Sequence, residues 1–305
     1  MNTISIDLGG SRVKLGVVSE GKVIRSDIIE FNSKLGLASV LPRIENVCLK
    51  WLHDISADAV GIAFPSFVDV KKKKILGHNG KFSDYAQINL EGWARERLNL
   101  PMILENDANA AALGEGYFGC ASGIDHFILM ILGTGIGTAA VMNRQLIRGK
   151  HYQAGDLMGH IPLKVHGRKC EACPGTGCAE AQASTWALPY IVRESNIESP
   201  LKKETVIDFR TLKKYYDAGD ALAIAVYEEC CEYWTNCLLA MIYAYDPEVV
   251  VLSGGVMNWG KELMTKLEQN VRMRNALPWK DLQFRMAENP EQSVLLGLHA
   301  LCRNI

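Results

Sequence analysis

Residues 101–119 read PMILENDANAAALGEGYFG. The stretch opens with an apolar strand, Met102-Ile103-Leu104, and places Glu105, Asn106 and Asp107 together where that strand must end. An Ala-rich helical run follows from Ala108 to Gly114. A strand that stops at a carboxylate and turns into a helix holds one acid at the mouth of a cleft. Asp107 is therefore the first candidate for chemistry.

Working outward from it, residues 3–8, TISIDL, alternate and meet Gly9-Gly10-Ser11, and Val13 to Val18 form a second β run. Two strands joined by a Gly-rich turn make a hairpin. The glycines permit positive φ and leave backbone N–H groups free to face an anion. Asp7, just before the turn, could hold a metal ion directly or through water. Alone, the segment reads more readily as a plain tight hairpin, since Gly-rich turns are common. After Gly119 the chain repeats this opening, with strand 127–132, the turn Gly133-Thr134-Gly135-Ile136-Gly137, strand 138–142 and a third at 145–147. The echo predicts an α/β protein of two related lobes, each presenting a phosphate-binding hairpin. A third glycine turn, Ser253-Gly254-Gly255, follows the buried run Val249 to Leu252 and suits close approach by adenine or phosphates.

Apolar spacing predicts helices over 37–55, 93–98, 207–216, 220–244, 260–271 and 295–301, with helical patterning also from 185. Pro42 fits only a first helical turn, so the part before it is the less regular. Ala59 to Phe64 is a buried strand ended by Pro65-Ser66. Short β runs at 68–70 and 74–76 flank Lys71–Lys74, a solvated turn. Residues 77–92 form a polar loop long enough to be functional, where His78, Asn79 and Asn89 either touch a ligand or face solvent.

The chain has 305 residues, enough for one large or two medium domains, with 48% hydrophobic and 22% charged residues. Lys+Arg 33 against Asp+Glu 34 gives a net charge of -1, which removes any bulk electrostatic case for nucleic acid or anionic membrane. No apolar run reaches the roughly 20 residues that cross a bilayer, and residues 1–10 carry no secretion signal. The expectation is a cytoplasmic protein. In that reducing compartment nine cysteines are not disulfides. Cys48, Cys120, Cys230, Cys231, Cys237 and Cys302 read as buried thiols. His160, Cys170, Cys173 and Cys178 could instead close a tetrahedron around a structural Zn²⁺, with Gly167, Gly175 and Gly177 letting the loop wrap. His166 competes as the nitrogen ligand. A Cys-x-x-Cys redox pair and free thiols stay open as alternatives.

In order and spacing these motifs resemble the ROK family of sugar kinases and repressors, within the actin-like ATPase fold. The matching segments are Asp7-Leu-Gly-Gly-Ser11 with Lys14, Glu105-Asn-Asp-Ala-Asn109, Gly133-Thr-Gly-Ile-Gly137, Ser253-Gly-Gly255, and Gly159-His160 with Cys170, Cys173, Gly177, Cys178 and Glu180. The resemblance implies a two-lobed α/β fold with duplicated mixed sheets. One lobe is expected over 1–115 with helix 291–305, the other over 116–290 with the zinc loop at 155–180. It implies that Asp107 takes the proton from a sugar hydroxyl while Asn106 holds a neighbouring hydroxyl. Ser66, Asn79, Asp156, His160 and Glu180 would face the sugar or support its loop. Asp7, Gly9, Gly10, Ser11, Lys14, Gly133, Thr134, Gly135, Gly137, Ser253, Gly254 and Gly255 would hold ATP, with Mg²⁺ on the phosphates near Asp7.

The chain departs from the family pattern at Leu157, where a sugar-binding glutamate is usual and Asp156 lies one position earlier. It departs also at the Cys170–Cys173 spacing and at Ser66, where glycine is common. The implied activity is phosphorylation of a hexose or N-acetylhexosamine at a primary hydroxyl, by a homodimer. A repressor of this family carries an added N-terminal helix-turn-helix, for which a first strand at Thr3 leaves no room. A sugar sensor that binds without turnover is the second reading.

Overall fold

The computed structural model describes residues 1–77 and 80–303. In chain order the elements are β1 (Asn2–Leu8), β2 (Arg12–Ser19), β3 (Lys22–Glu30), α1 (Leu37–Asp54), β4 (Ala59–Phe64), β5 (Val68–Asp69) and β6 (Lys74–Ile75). Then come α2 (Leu90–Trp93), β7 (Met102–Asn106), α3 (Asp107–Phe118), β8 (Phe127–Leu132), β9 (Ile136–Met142) and β10 (Gln145–Leu146). The remainder is α4 (Ala179–Ala183), α5 (Leu188–Glu194), α6 (Phe209–Asp217), α7 (Ala221–Tyr245), β11 (Val249–Ser253), α8 (Lys261–Arg274), β12 (Gln283–Met286) and α9 (Pro290–Cys302). The chain divides into two compact units. One comprises Met1–Ile124, Ala139–Ala154 and Ala287–Ile305, the other Asp125–Thr138 and Gly155–Met286.

In the first unit the sheet runs β3-β2-β1-β4-β7. The hairpin read from residues 3–18 is there as antiparallel β1 and β2. β1, β4 and β7 are parallel, and β4, AVGIAF, is buried at every position, as a strand covered on both faces requires. The register sets Asp7 opposite Ala63, Ala63 opposite Glu105 and Phe64 opposite Asn106. The carboxyl ends of three parallel strands thus finish in one row, the edge at which open α/β sheets take ligands.

Helix α1 buries Leu37, Val40, Ile44, Cys48 and Trp51. Its first N–H groups, at Leu37 and Ala38, donate to the Asp84 carboxylate at 2.6 and 2.9 Å. Pro42 lies beyond the first turn, inside the helix, because both Pro42 and Ala38, whose carbonyl loses its partner, face solvent. Helices α3 and α9 meet through glycines. A methyl on Gly114 would stand 1.9 Å from Ser293 O, and one on Gly297 1.7 Å from Ala110 O. Glu288-Asn289 turns the chain as read, but Pro290 is the first helical residue of α9, where its missing N–H costs nothing.

The second sheet runs β10-β9-β8-β11-β12, with β8, β11 and β12 parallel. Helix α7 is capped by Asp220, which accepts from Ala223 N at 2.9 Å, and ends at Asp246 in the left-handed region. Two strands escaped the sequence reading. β3 exposes nearly every residue but Ile29, and β12 is largely half-buried, so neither carries a burial pattern. Cys48, Cys230, Cys231, Cys237 and Cys302 are buried as read, while Cys120 is half-exposed. No helix among the described residues is long and apolar enough to cross a membrane.

Candidate functional site

Asp107 is the first residue of α3, directly after β7. Its position follows from Asn106, whose side-chain oxygen accepts from Ala108 N at 2.9 Å and Asn109 N at 3.1 Å. Asparagine is a preferred N-cap, and here it ends the strand and starts the helix in one residue. The Asn106 amide nitrogen donates to Ser66 O at 3.4 Å, so Ser66, which is buried, lies against the same turn. The Asp107 carboxylate accepts from Ala108 N at 2.9 Å. Burial, then the nearby Asp7 charge, push its pKa up to about 6, while Lys81 pulls it down. A carboxyl poised near neutrality is what a general base requires.

Asp7 is the next-to-last residue of β1 and is 8% exposed. Burial raises its pKa, opposed by Lys14 across the hairpin at 3.5 Å. Lys14 also pairs with Glu291 at 3.0 Å, and Arg12 with Glu291 at 2.7 Å. Asp7, a buried carboxylate raised by burial, is a hard oxygen donor of the kind a divalent cation satisfies, with the half-buried Asp107 near it. Gly9 and Gly10 correct the reading made from sequence: neither has positive φ. Gly9 is required by close approach, since a methyl there would meet Arg12 O at 2.6 Å, and its N–H donates to Asp7 O at 3.2 Å. Ser11 is exposed beyond the turn.

Glu105, 1% exposed, was not singled out as a functional residue, yet it anchors this edge. It accepts from Asn106 N at 2.9 Å and Asn109 Nδ2 at 3.3 Å, and pairs with Arg148 at 2.6 Å. Arg148 follows β10 among other basic residues, Arg144 and Lys150, and nothing in the sequence marks it from them. Asn89, a candidate ligand contact, accepts from Gly92 N at 3.0 Å as the cap of α2. His78 and Asn79 lie outside the described residues.

In the second unit the glycine turn is shorter than read, with residues 133–135 joining β8 and β9 and Ile136-Gly137 already in the strand. The Gly133 and Thr134 carbonyls accept from Thr185 N at 3.1 Å and Trp186 N at 3.2 Å. Gly137 is half-buried within β9. Gly135 packs on the Glu180 carboxylate, where a methyl would come to 2.4 Å. Glu180 accepts from Ile136 N at 2.8 Å and from Trp186 Nε1 at 3.2 Å, so it fixes the glycine turn. Ser253 ends β11 opposite Ile131. Gly254, with φ 96, admits no side chain, since a methyl there would come to 2.3 Å from Leu132 O. Gly255 beside it is exposed.

His160, Cys170, Cys173 and Cys178 each offer a ligand atom, all within 4.8 Å of one another. His166 is exposed and outside this group. The loop is a tight hairpin, with Cys170 N donating to Gly175 O at 3.0 Å and a bridge between Lys169 and Thr176. Gly177, φ 70, lies so close to Lys164 O that a methyl would overlap it. One imidazole and three thiols at this spacing match a closed tetrahedral site. The hydrogen bond between Cys170 and Cys178 holds the Cys178 thiol below its usual pKa and, with burial, pushes Cys170 up to about 12. Leu157 is 38% exposed. The carboxylate whose charge acts on His160 beside that of Glu180 is Asp156.

A family model described as the ROK family matches residues 3–305. A glucokinase of Thermotoga maritima is 30% identical over 279 residues, 89% of this chain and 87% of that protein. A ROK family glucokinase from Streptomyces griseus, solved with glucose and AMPPNP, superposes with a TM-score of 0.86 at 26% identity over all of both chains. A ROK hexokinase from Thermus thermophilus gives 0.83 at 26% identity, again over both whole chains. The fold is that of the actin-like ATPases, with its duplicated mixed sheets. With the match running from the first strand to the last helix, the chain belongs to the ROK family.

Proposed function

We propose that this protein is an ATP-dependent kinase acting on a hexose or N-acetylhexosamine, at its primary 6-hydroxyl, with Asp107 as the general base. The observation that carries the proposal is Asp107 itself: a carboxyl at a strand end and helix start, raised to about 6 by burial and by Asp7. Its carboxylate takes the hydroxyl proton as the sugar oxygen bonds to the γ-phosphorus. The bond from that phosphorus to the β,γ-bridging oxygen breaks, and ADP leaves with the electron pair. Such a transfer needs positioning and charge neutralisation more than covalent help from the protein.

The turn at Gly9-Gly10-Ser11 with Lys14, the turn at 133–137 and Ser253-Gly254-Gly255 are assigned to the nucleotide. Asn106, Ser66, Asn79, Asp156, His160 and Glu180 are assigned to the sugar and its loop. Asp7 would help hold Mg²⁺ on the nucleotide phosphates, where the ion when bound neutralises phosphate charge, leaving Asp107 free as the base. His160, Cys170, Cys173 and Cys178 would hold a structural Zn²⁺ that fixes the loop leading into Glu180. Support for the reaction class comes from the glucokinase and hexokinase relatives. We assign the protein to the cytoplasm and to a homodimeric assembly.

A coupled ADP-release assay over a panel of hexoses and N-acetylhexosamines tests the reading. Asp107→Asn should lose about 10³-fold or more in kcat while AMPPNP affinity stays within about twofold. A near-normal kcat would remove Asp107 from its role. Sugar binding without turnover in the wild type would favour a sensor.

A further inference from the structure

Lys81 lies in the polar loop before α2, and its placement is tightly constrained. Phe82, the next residue, has a φ of 52, a conformation that a bulky side chain adopts only under constraint. The constraint is visible. The Phe82 ring is fully buried, with Phe31 at 5.8 Å and Phe64 at 5.5 Å between ring centroids. Phe82 N donates to Ser33 O at 3.0 Å, and Ser33 N in turn donates to Gly10 O at 3.0 Å. The loop is therefore tied through two backbone bonds to the first glycine turn.

The result is that the Lys81 side chain crosses that turn. A methyl built on Gly10 would stand 3.1 Å from Lys81 Cε and 3.8 Å from Nζ. The missing Gly10 side chain is thus the space that the lysine occupies. The same ammonium acts on Asp107. Asp107 is otherwise faced by Asp7 from β1, whose own charged neighbours are Lys14 and Arg12 from β2 and Glu291 from α9.

We propose that Lys81 is a catalytic residue that donates a hydrogen bond to the transferring γ-phosphoryl group over Gly10. This rests on the kinase reading above. Lys81 neutralises charge on the equatorial oxygens as the sugar oxygen–phosphorus bond forms and the bridging bond breaks, and the hydroxyl proton goes to Asp107. A cation held between base and phosphate stabilises the transition state without reorganisation. It also favours the ionised base. Strain at Phe82 is offset by the buried ring and serves to aim its neighbour.

The test compares wild type, Lys81→Met and Lys81→Arg with the sugar that the panel identifies. Lys81→Met should lose about 100-fold in kcat, with KM for the sugar within about threefold. The acid limb of its kcat–pH profile should move up by about half a unit or more. Lys81→Arg, which keeps the charge, should recover part of kcat and most of the limb. Binding gives a second readout that needs no turnover: Lys81→Met should bind AMPPNP about tenfold more weakly and ADP unchanged. Kinetics within about threefold of wild type, an unmoved acid limb and unchanged AMPPNP affinity would overturn the proposal. Equal losses for ADP and AMPPNP would also overturn it, because they mean a distorted loop. A wild type that turns over no sugar sinks the kinase reading, and the AMPPNP–ADP comparison then decides Lys81 alone.

Discussion

At the scale of single residues, Asp107 links rate to stability. Its folded pKa, about 6, lies above the unfolded value of about 3.9. Protonation therefore favours the fold. The penalty of the ionised form is absent only well below pH 4, grows between the unfolded and folded pKa, and is complete above pH 6 to 7. Asp107→Asn should be more stable than wild type by about 2 to 3 kcal/mol at pH 7.5 and by about 0.5 kcal/mol at pH 4, read from urea melts at both. The rate should show the opposite preference, falling about tenfold per pH unit below 6 in kcat profiles. Glu105 differs, since its charge is matched by Arg148. Glu105→Gln leaves that guanidinium facing a neutral amide, and should cost about 2 kcal/mol of stability in the same melts. Asp107 was legible because a carboxylate at a strand-to-helix junction is a local pattern. Arg148 and Lys81 were not, because each acquires its partner only when the chain folds back from a loop with no periodicity.

At the scale of elements, the α3–α9 pair decides whether the first unit closes. Gly114 and Gly297 let two backbones touch, and no rotamer change can relieve a methyl against a carbonyl. Gly297→Ala should cost about 3 kcal/mol or more, seen as a lower urea midpoint at unchanged slope. The same length of sequence was legible in different degrees. β4 and β8 declare themselves by continuous burial, and α7 by its long run of buried side chains. β3 does not, because an edge strand needs charges such as Lys22, Arg25 and Asp27 to discourage pairing with other chains. Those charges erase the alternation that reveals a strand. Pro42 misled in the other direction, since a solvent-facing helix position tolerates the lost bond.

At the scale of the whole molecule, the repeated strand, glycine turn and strand was visible in the sequence because both copies kept their punctuation. Ala139–Ala154 groups with the amino-terminal unit, and nothing local in the sequence marks it, because the segment runs on from the second glycine turn without a break. Metal analysis should find about one equivalent of zinc per chain. Its removal by chelator, or Cys173→Ser, should lower the melting temperature of the second unit by about 10 °C and leave the first unit's transition in place in calorimetry. The position of Trp186 gives this protein one further property. Its indole packs on the Cys170–Cys178 cluster, donates to Glu180 and, by its backbone, reaches Thr134. Fluorescence thus becomes a gauge wired to both the sulfur cluster and the glycine turn. Returning zinc to chelated protein should change tryptophan emission in step with occupancy, and Trp186→Phe should silence that signal while the other five tryptophans go on emitting.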